Sequence, residues 1–263
     1  MRQLKWRVRG LLQRALPRLT FAVLANRTWV HEPEVQLLPL LAASKALAID
    51  VGANKGVYLY HLCRHFARVV AFEPLPQMSA FLTAAAPANA TVHRVALSRD
   101  EGSGELALPK GMNELGSVEA AAGVGDGGIE MERHPTLLKP LDSYGFAAVG
   151  LIKIDVEGHE HAVIDGARAT ILRSHPTILV EVEERHRAGG VEALRRSLER
   201  LGYEGYFLDR AVLRPIGEFD LARDQSPAAI ASSVKVGRYI NNFIYFERRQ
   251  AAERVARINR WLA

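Results

Sequence analysis

Cysteine is almost missing from this chain. Cys63 is the only one among 263 residues, so an intramolecular disulfide and a multi-cysteine zinc site are both excluded. It lies on the helix that follows the first glycine turn, where a small core filler is the ordinary role. The nine histidines are scattered and no H-E-x-x-H pair occurs, which removes the zincin type of metal site. The turn after the first apolar strand lacks the G-x-G-x-x-G spacing of a dinucleotide site, and it lacks the Lys-Ser/Thr pair of a P-loop. No acid precedes Glu32. Arginines interrupt every apolar run near that end, so neither a secretory signal nor a membrane span is expected. A reducing cytoplasm is the default compartment.

What the chain does contain is enough apolar residue for a full core: 48% of its residues are hydrophobic and the formal net charge is a modest +5. That fits one large α/β domain with appendages and excludes a disordered or repeat protein. The charge is uneven. Arg2, Lys5, Arg7, Arg9, Arg14 and Arg18 are interleaved with Trp6, Val8, Leu11, Leu12 and Leu16, and Arg248, Arg249, Arg254, Arg257 and Arg260 crowd the other end. The first group reads as a basic helical arm over residues 1–45. It is open to several uses: a solvated helix covering the core, peripheral contact with an anionic membrane, docking on a partner, or a transit-peptide-like start. The second group reads as a basic helix over 248–263.

Between these ends, short apolar runs alternate with helical patterns, which predicts a parallel sheet with helices on both faces. Strands are expected at 46–51, 68–72, 91–96, 151–155, 178–182, 203–208 and 243–247, and helices at 56–66, 76–85, 160–174 and 191–201. The rhythm fails over 97–142, where eight glycines from Gly102 to Gly128 crowd together and only short candidate strands at 105–108 and 129–133 stand out. Such an insertion is either disordered or a lid over a site. Residues 210–239 are also read as irregular, a second flap.

Two stretches carry chemistry. In Ala48-Ile49-Asp50-Val51-Gly52-Ala53-Asn54-Lys55-Gly56, a buried strand breaks into glycine-spaced turn chemistry and delivers a ligand to a helix N-terminus. The next strand ends at Glu73-Pro74, where a carboxylate can accept two hydroxyls of a ribose. An ordinary strand-to-helix turn with a capping acid is the plainer alternative. In Leu151-Ile152-Lys153-Ile154-Asp155-Val156-Glu157-Gly158-His159-Glu160, charges alternate with apolar residues in a strand that should be apolar throughout. Regular strand geometry would send Lys153, Asp155 and Glu157 to one face, either as buried ion pairs or lining a cavity. Glu181, Glu183, Glu184 and His186 crowd the following strand end. In an open parallel sheet ligands bind beyond the carboxyl ends of the strands, so Asp50, Glu73, Asp155 and Glu181 should converge.

Those two stretches, with Phe72-Glu73-Pro74, Leu141-Asp142-Ser143 and the Glu181–Glu183 strand end, resemble the FkbM family of S-adenosylmethionine-dependent methyltransferases over about 46–207. The resemblance implies a Rossmann-like methyltransferase sheet, mostly parallel with an antiparallel last strand and helices on both faces, in a domain spanning 46–247. It implies S-adenosylmethionine as cofactor, with Asp50, Gly52, Asn54, Gly56, Glu73, Pro74 and Ala96 around it. It also implies methyl transfer to a hydroxyl of a sugar, glycolipid, polysaccharide or glycosylated natural product.

An alcohol needs alignment and a proton acceptor. Asp155 is the expected catalyst, assisted by Glu157, Lys153, Glu181 and His159. Asp155 and Glu181 are alternatively ligands for a divalent cation such as Mg. A nicotinamide-dependent dehydrogenase lacks its glycine spacing. An RNA methyltransferase is the nearer rival because the termini are basic, yet no Asn/Asp-Pro-Pro-aromatic run appears. An idle methyltransferase-like binding module is the third reading. Oligomeric state stays open.

Overall fold

The structure, a computed structural model, describes residues 15–28, 32–109, 131–226 and 238–263. In chain order, α1 (Pro17–Thr28) and the short α2 (Leu38–Leu41) precede β1 (Leu47–Val51), α3 (Val57–Leu62), β2 (Arg68–Phe72), α4 (Pro76–Ala85) and β3 (Ala90–His93). Then come β4 (Ala96–Leu97), β5 (Gly102–Pro109), β6 (Met131–Lys139), β7 (Val149–Ile154), α5 (Glu160–Gly166), α6 (Arg168–Ser174) and β8 (Thr177–Glu181). The chain closes with α7 (Gly190–Arg200), β9 (Tyr203–Asp209), β10 (Val212–Pro215), α8 (Leu221–Asp224), β11 (Asn242–Glu247) and α9 (Arg248–Leu262).

Among the described residues the main sheet has the order β10-β9-β11-β8-β7-β1-β2-β3. Strands β3, β2, β1, β7 and β8 run parallel. The last strand, β11, inserts antiparallel to both β8 and β9. An antiparallel neighbour of this kind needs no crossover helix. The strand order reverses between β1 and β7, the kind of switch point where such sheets bind ligands.

Period-two alternation splits the core between the two faces. Ile49, Val51, Ile152, Ile154, Ile178 and Val180 face α5, α6 and α7, whereas Ala48, Leu151, Leu179 and Ile244 face α1, α2, α3 and α9. Each fully buried aliphatic or aromatic side chain contributes about 1.5–3 kcal/mol, so this double layer holds the strand ends in place. α7 is positioned by sequence as much as by packing. Val191, Leu194 and Leu198 fall on its buried side, Glu192 pairs with Arg195 and Arg196 on the other, and the Glu184 carboxylate accepts the N–H groups of Gly189 and Val191 at its start.

Both charged ends are built into the domain where they are described. α1 lies across α3 and α4, with Phe21 buried edge-to-face against Tyr60 and Phe81 at centroid distances of 5.4 and 6.1 Å. α9 buries Ala251 and Ile258. From it Arg254 donates to the Leu41 carbonyl at 3.0 Å and Arg257 donates to the Leu40 carbonyl at 2.9 Å. Residues 1–14 of the expected basic arm lie outside the described residues. No helix among the described residues is long and apolar enough to cross a membrane.

Three expectations need correction. The helix expected over 160–174 is two helices, because the backbone leaves helical geometry at Ala167 (φ −108°, ψ 3°). The 97–142 stretch is not loop throughout: β5 and β6 form an antiparallel ladder from Gly102↔Leu138 to Pro109↔Met131, and β4 joins it as a second sheet. Leu106 and Leu108 alternate inward beneath the glycines and pack on Leu75 and Met78. The glycine-densest part, 110–130, lies outside the described residues. Within 210–239, β10 pairs with β9 and α8 follows, capped by Asp220, whose side chain accepts the Arg223 N–H; the flap expected there also includes 227–237, outside the described residues.

Candidate active site

Two cavities open at the carboxyl rim of the parallel strands, and Gly52, Asn54 and Asp155 line both. The first lies between Phe72, Glu73, Pro74, Leu75, Val95, Ala96, Leu97, Leu106, Val156, Glu157 and His159. The second is lined by Glu32, Asp50, Lys55, Tyr58 and Lys153 among others.

The wall between them is set by two backbone features. Gly52 has φ +78°, and a Cβ there would stand 1.8 Å from the Asp155 carbonyl oxygen. Only glycine lets the β1 turn close onto the end of β7, where the Asp155 N–H still donates to the Val51 carbonyl at 3.0 Å. Asn54 follows in a left-handed conformation, φ 45°. Its N–H donates to Glu73 Oε2 at 2.7 Å, while the Leu75 N–H donates to Glu73 Oε1 at 2.8 Å. Glu73 therefore ties the first glycine turn to the end of β2. Each of its oxygens retains accepting capacity toward the cavity. Burial pushes its carboxyl up to about 7 against the pull of those two N–H groups.

The second cavity has a charged floor. Asp50 and Lys153 are register partners on β1 and β7 and both are buried. Burial raises the Asp50 carboxyl to about 7, less far than it would without Lys153 and a backbone hydrogen bond from Leu59. Asp50 Oδ2 is buried with no hydrogen-bond partner. Lys153 Nζ donates to Asn242 Oδ1 and to the Ile154 carbonyl, each at 3.3 Å, and sits 4.7 Å from the centre of the Tyr58 ring. Burial works against its charge, yet Asp155, Glu181, Glu32 and Asp50 outweigh that and raise its pKa. Glu32 completes the ring, accepting from Tyr58 Oη and from Asn242 Nδ2 at 3.3 Å each.

Asp155 lies deep in the domain yet stays partly accessible through the cavities. Burial raises its carboxyl to about 7; Lys153 opposes this, and Glu157, Glu32 and Glu160 add to it. Lys153 and Asp155 both line the second cavity, as expected of one face, but the strand has ended by then and Glu157 does not join them. Glu157 adopts φ 53° and Gly158 φ 105°, which turns Glu157 to the first cavity, where its Oε2 lies 2.6 Å from His186 Nε2. That carboxylate raises the His186 pKa against the effect of burial. His159 is directed to Ser98, Nε2 to Oγ 3.0 Å, at the start of α5 and in the wall of the first cavity.

Two expected site residues sit elsewhere. Gly56 lines neither cavity: it has φ +79°, and a Cβ there would meet Phe21 at 2.4 Å and Leu82 at 2.6 Å, so its place is to seat α1 and α4 against the start of α3. Glu181 also lines neither cavity and accepts from Asn241 Nδ2. Among the described residues no group of three or more His, Cys, Asp or Glu is arranged to hold a metal ion. The Asp155–Glu181 cation pair is therefore not supported. Glu181 is engaged by Asn241 away from both cavities, and the Lys153 ammonium already supplies positive charge among these carboxylates.

Sequence reasoning missed Glu32, Tyr58 and Asn242, and the apolar Val95, Leu97 and Leu106 of the first cavity. Glu32 carried a signal as the first acid after an acid-free stretch. Tyr58 and Asn242 carried none, because only the sheet brings α3 and β11 to β7.

The residues fit a nucleoside-bearing cofactor. An apolar slot with a carboxylate at its base suits a base and its ribose, and the bare Gly52 turn with the unpartnered Asp50 oxygen leaves room and polarity for a charged tail in the second cavity.

The profile of the Methyltransferase FkbM domain matches residues 50–204, more than half of the chain. No curated protein sequence matches it. Among solved structures the chain is similar to the methyltransferase FkbM from Methylobacillus flagellatus KT, at 17% identity and TM-score 0.48, over 77% of this chain and 44% of that one. It is also similar to an rRNA methylase from Streptococcus thermophilus, at 10% identity and TM-score 0.43, over 82% and 93% of the two chains. A Streptococcus mutans protein solved in complex with SAH shows 10% identity and TM-score 0.43, over 82% and 96%. The chain thus spans less than half the length of the Methylobacillus protein. On the profile match, the chain belongs to the FkbM family of S-adenosylmethionine-dependent methyltransferases.

Proposed function

We propose that this protein is an O-methyltransferase acting on a hydroxyl of a sugar, glycolipid, polysaccharide or glycosylated natural product. Glu73 would receive the ribose hydroxyls, Pro74, Val95, Ala96 and Leu97 would flank the adenine, and Gly52 and Asn54 would border the methionine part. When bound, S-adenosylmethionine supplies an electrophilic methyl group on a sulfonium. The chain's own task is then to hold a hydroxyl in line and to take its proton.

Asp155 carries that reading. It is the carboxylate common to both cavities, and its carboxyl, raised to about 7, makes it a stronger base than an ordinary aspartate while leaving it substantially ionised near neutrality. Lys153 beneath it keeps the ionised form accessible. Glu32, Tyr58 and Lys55 offer polar contacts for a polyhydroxyl acceptor in the second cavity. Glu157, braced by His186, borders the first.

The test incubates the purified protein and methyl-labelled cofactor with fractionated glycans and lipids and identifies the labelled product. Asp155→Asn should abolish labelling while calorimetry still detects binding of the demethylated cofactor. Full labelling by that variant would sink the assignment, and absence of cofactor binding by the wild type would sink the whole reading.

A further inference from the structure

α1 carries apolar side chains on two faces. Phe21 and Ala25 fill the inner face and are buried, whereas Leu19 and Val23, with Leu16 just before the helix, recur at helical spacing on the outer face and stand 60%, 44% and 51% exposed. An exposed apolar stripe rimmed by polar residues marks a contact surface, and here only the inner face is covered. The chemistry of what covers the other is indicated by charge. Arg18 is exposed between Leu16 and Leu19, and residues 1–31 carry Arg2, Lys5, Arg7, Arg9, Arg14, Arg18 and Arg27 with no acid at all. Apolar side chains among arginines complement a surface that is negative outside and apolar just beneath.

We propose that the outer face of α1 docks on an anionic lipid bilayer. The position of α1 gives this docking a consequence for the active site. α1 packs on α3, which begins at the glycine turn, and Asn26 Nδ2 donates to Tyr60 Oη at 3.4 Å. Glu32, in the wall of the second cavity, follows Thr28 by four residues, a reach of at most about 14 Å. The docking helix is thus tied through α3 and through a short stretch of chain to the wall of the acceptor cavity. Resting on the function proposed above, this narrows the acceptor to a sugar carried on a lipid and presented at the membrane surface.

The experiment floats the full chain with phosphatidylcholine vesicles, with and without about one third phosphatidylglycerol. Wild type should co-float with the anionic vesicles, less at high salt, and not with neutral ones. The double variant Leu19→Glu/Val23→Glu should bind them roughly tenfold or more weaker, because two apolar contacts are lost and two repulsive charges added. Both positions are exposed, so its thermal unfolding and its affinity for the demethylated cofactor should match wild type. That cofactor measurement separates failure of docking from failure of the methyltransferase reading. Several results would overturn the docking: no flotation with anionic vesicles, equal flotation by wild type and variant, or a dimer in sedimentation that the variant dissolves. Protection of α1 amides from exchange in the lipid-free monomer, abolished by truncating residues 1–14, would assign the stripe to the chain's own start instead. Salt-sensitive RNA binding unaffected by the variant, without flotation, would also overturn it.

Discussion

Asp50 and Lys153 stand in register on neighbouring parallel strands, both buried, and their side chains share the sheet face that α3 covers. Around Lys153 four carboxylates contribute to its charge state: Asp155, Glu181, Glu32 and Asp50. One cation thus stands among several acids in a place where water is scarce. Such clusters do not add net stability easily, but removing one partner is costly.

Lys153→Met keeps the length of the side chain and removes the charge. The variant should be destabilised by about 3–5 kcal/mol in urea unfolding, because buried carboxylates lose their counter-charge. A change below 1 kcal/mol would show that Lys153 does not neutralise them.

Asp50 contributes to the pH dependence of stability. Its carboxyl is near 3.8 in the unfolded chain and about 7 when folded, so the folded state binds more protons between those values. Its contribution to stability is then greatest at low pH and is lost as pH rises toward 7. Asp50→Asn cannot ionise. Relative to the variant, wild type should lose up to roughly 1.4 kcal/mol per pH unit between pH 5 and 7, and the difference should level off above that. Thermal melts of both proteins across pH 5–8 measure this.

Gly52→Ala places a methyl group against the Asp155 carbonyl at a positive φ. The clash and the backbone strain together should cost about 3 kcal/mol or more. Whatever folds should bind the demethylated cofactor at least about a hundredfold more weakly, since the turn must move away from both cavities. Unchanged affinity by calorimetry would mean that the turn does not border the cofactor.

Asp155 should impose an acid limb on turnover. If it accepts the hydroxyl proton, kcat at saturating cofactor falls about tenfold per pH unit below about 7 and is level above it. Profiles from pH 5 to 9 test this; a kcat independent of pH across that range, with chemistry rate-limiting, would remove Asp155 as the base.

Much of this arrangement was legible in the chain. The glycine turn at Gly52, the acids at Asp50, Glu73 and Asp155, and the alternation of short strands with helices are local signals, each readable within a few residues. Glu157 was misread because strand periodicity was carried three residues beyond Ile154, to the point where the backbone turns to a positive φ. Gly56 was misread because a glycine beside a ligand turn and a glycine under a packed helix look alike in sequence; Phe21, which decides the matter, is 35 positions away. Of the β5–β6 ladder only short pieces were legible, at 105–108 and 129–133, because Gly102 and Gly104 depress strand propensity in β5 and Pro135 does so in β6, while Leu106 and Leu108 keep the period of two.

By itself the sequence determined the fold class, the turn that only glycine can make, and which carboxylates end the strands, because all three follow from backbone sterics and hydrophobic period. Only the tertiary structure decided what those carboxylates face. The insertion of β11 brings Asn242 to Lys153, the path of the chain after α1 brings in Glu32, and the closure of β1 on β7 leaves Asp155 between two cavities. Such neighbours come from strands and segments far apart in the chain, and electrostatics in a buried site depends on distance through space rather than on spacing along the polypeptide.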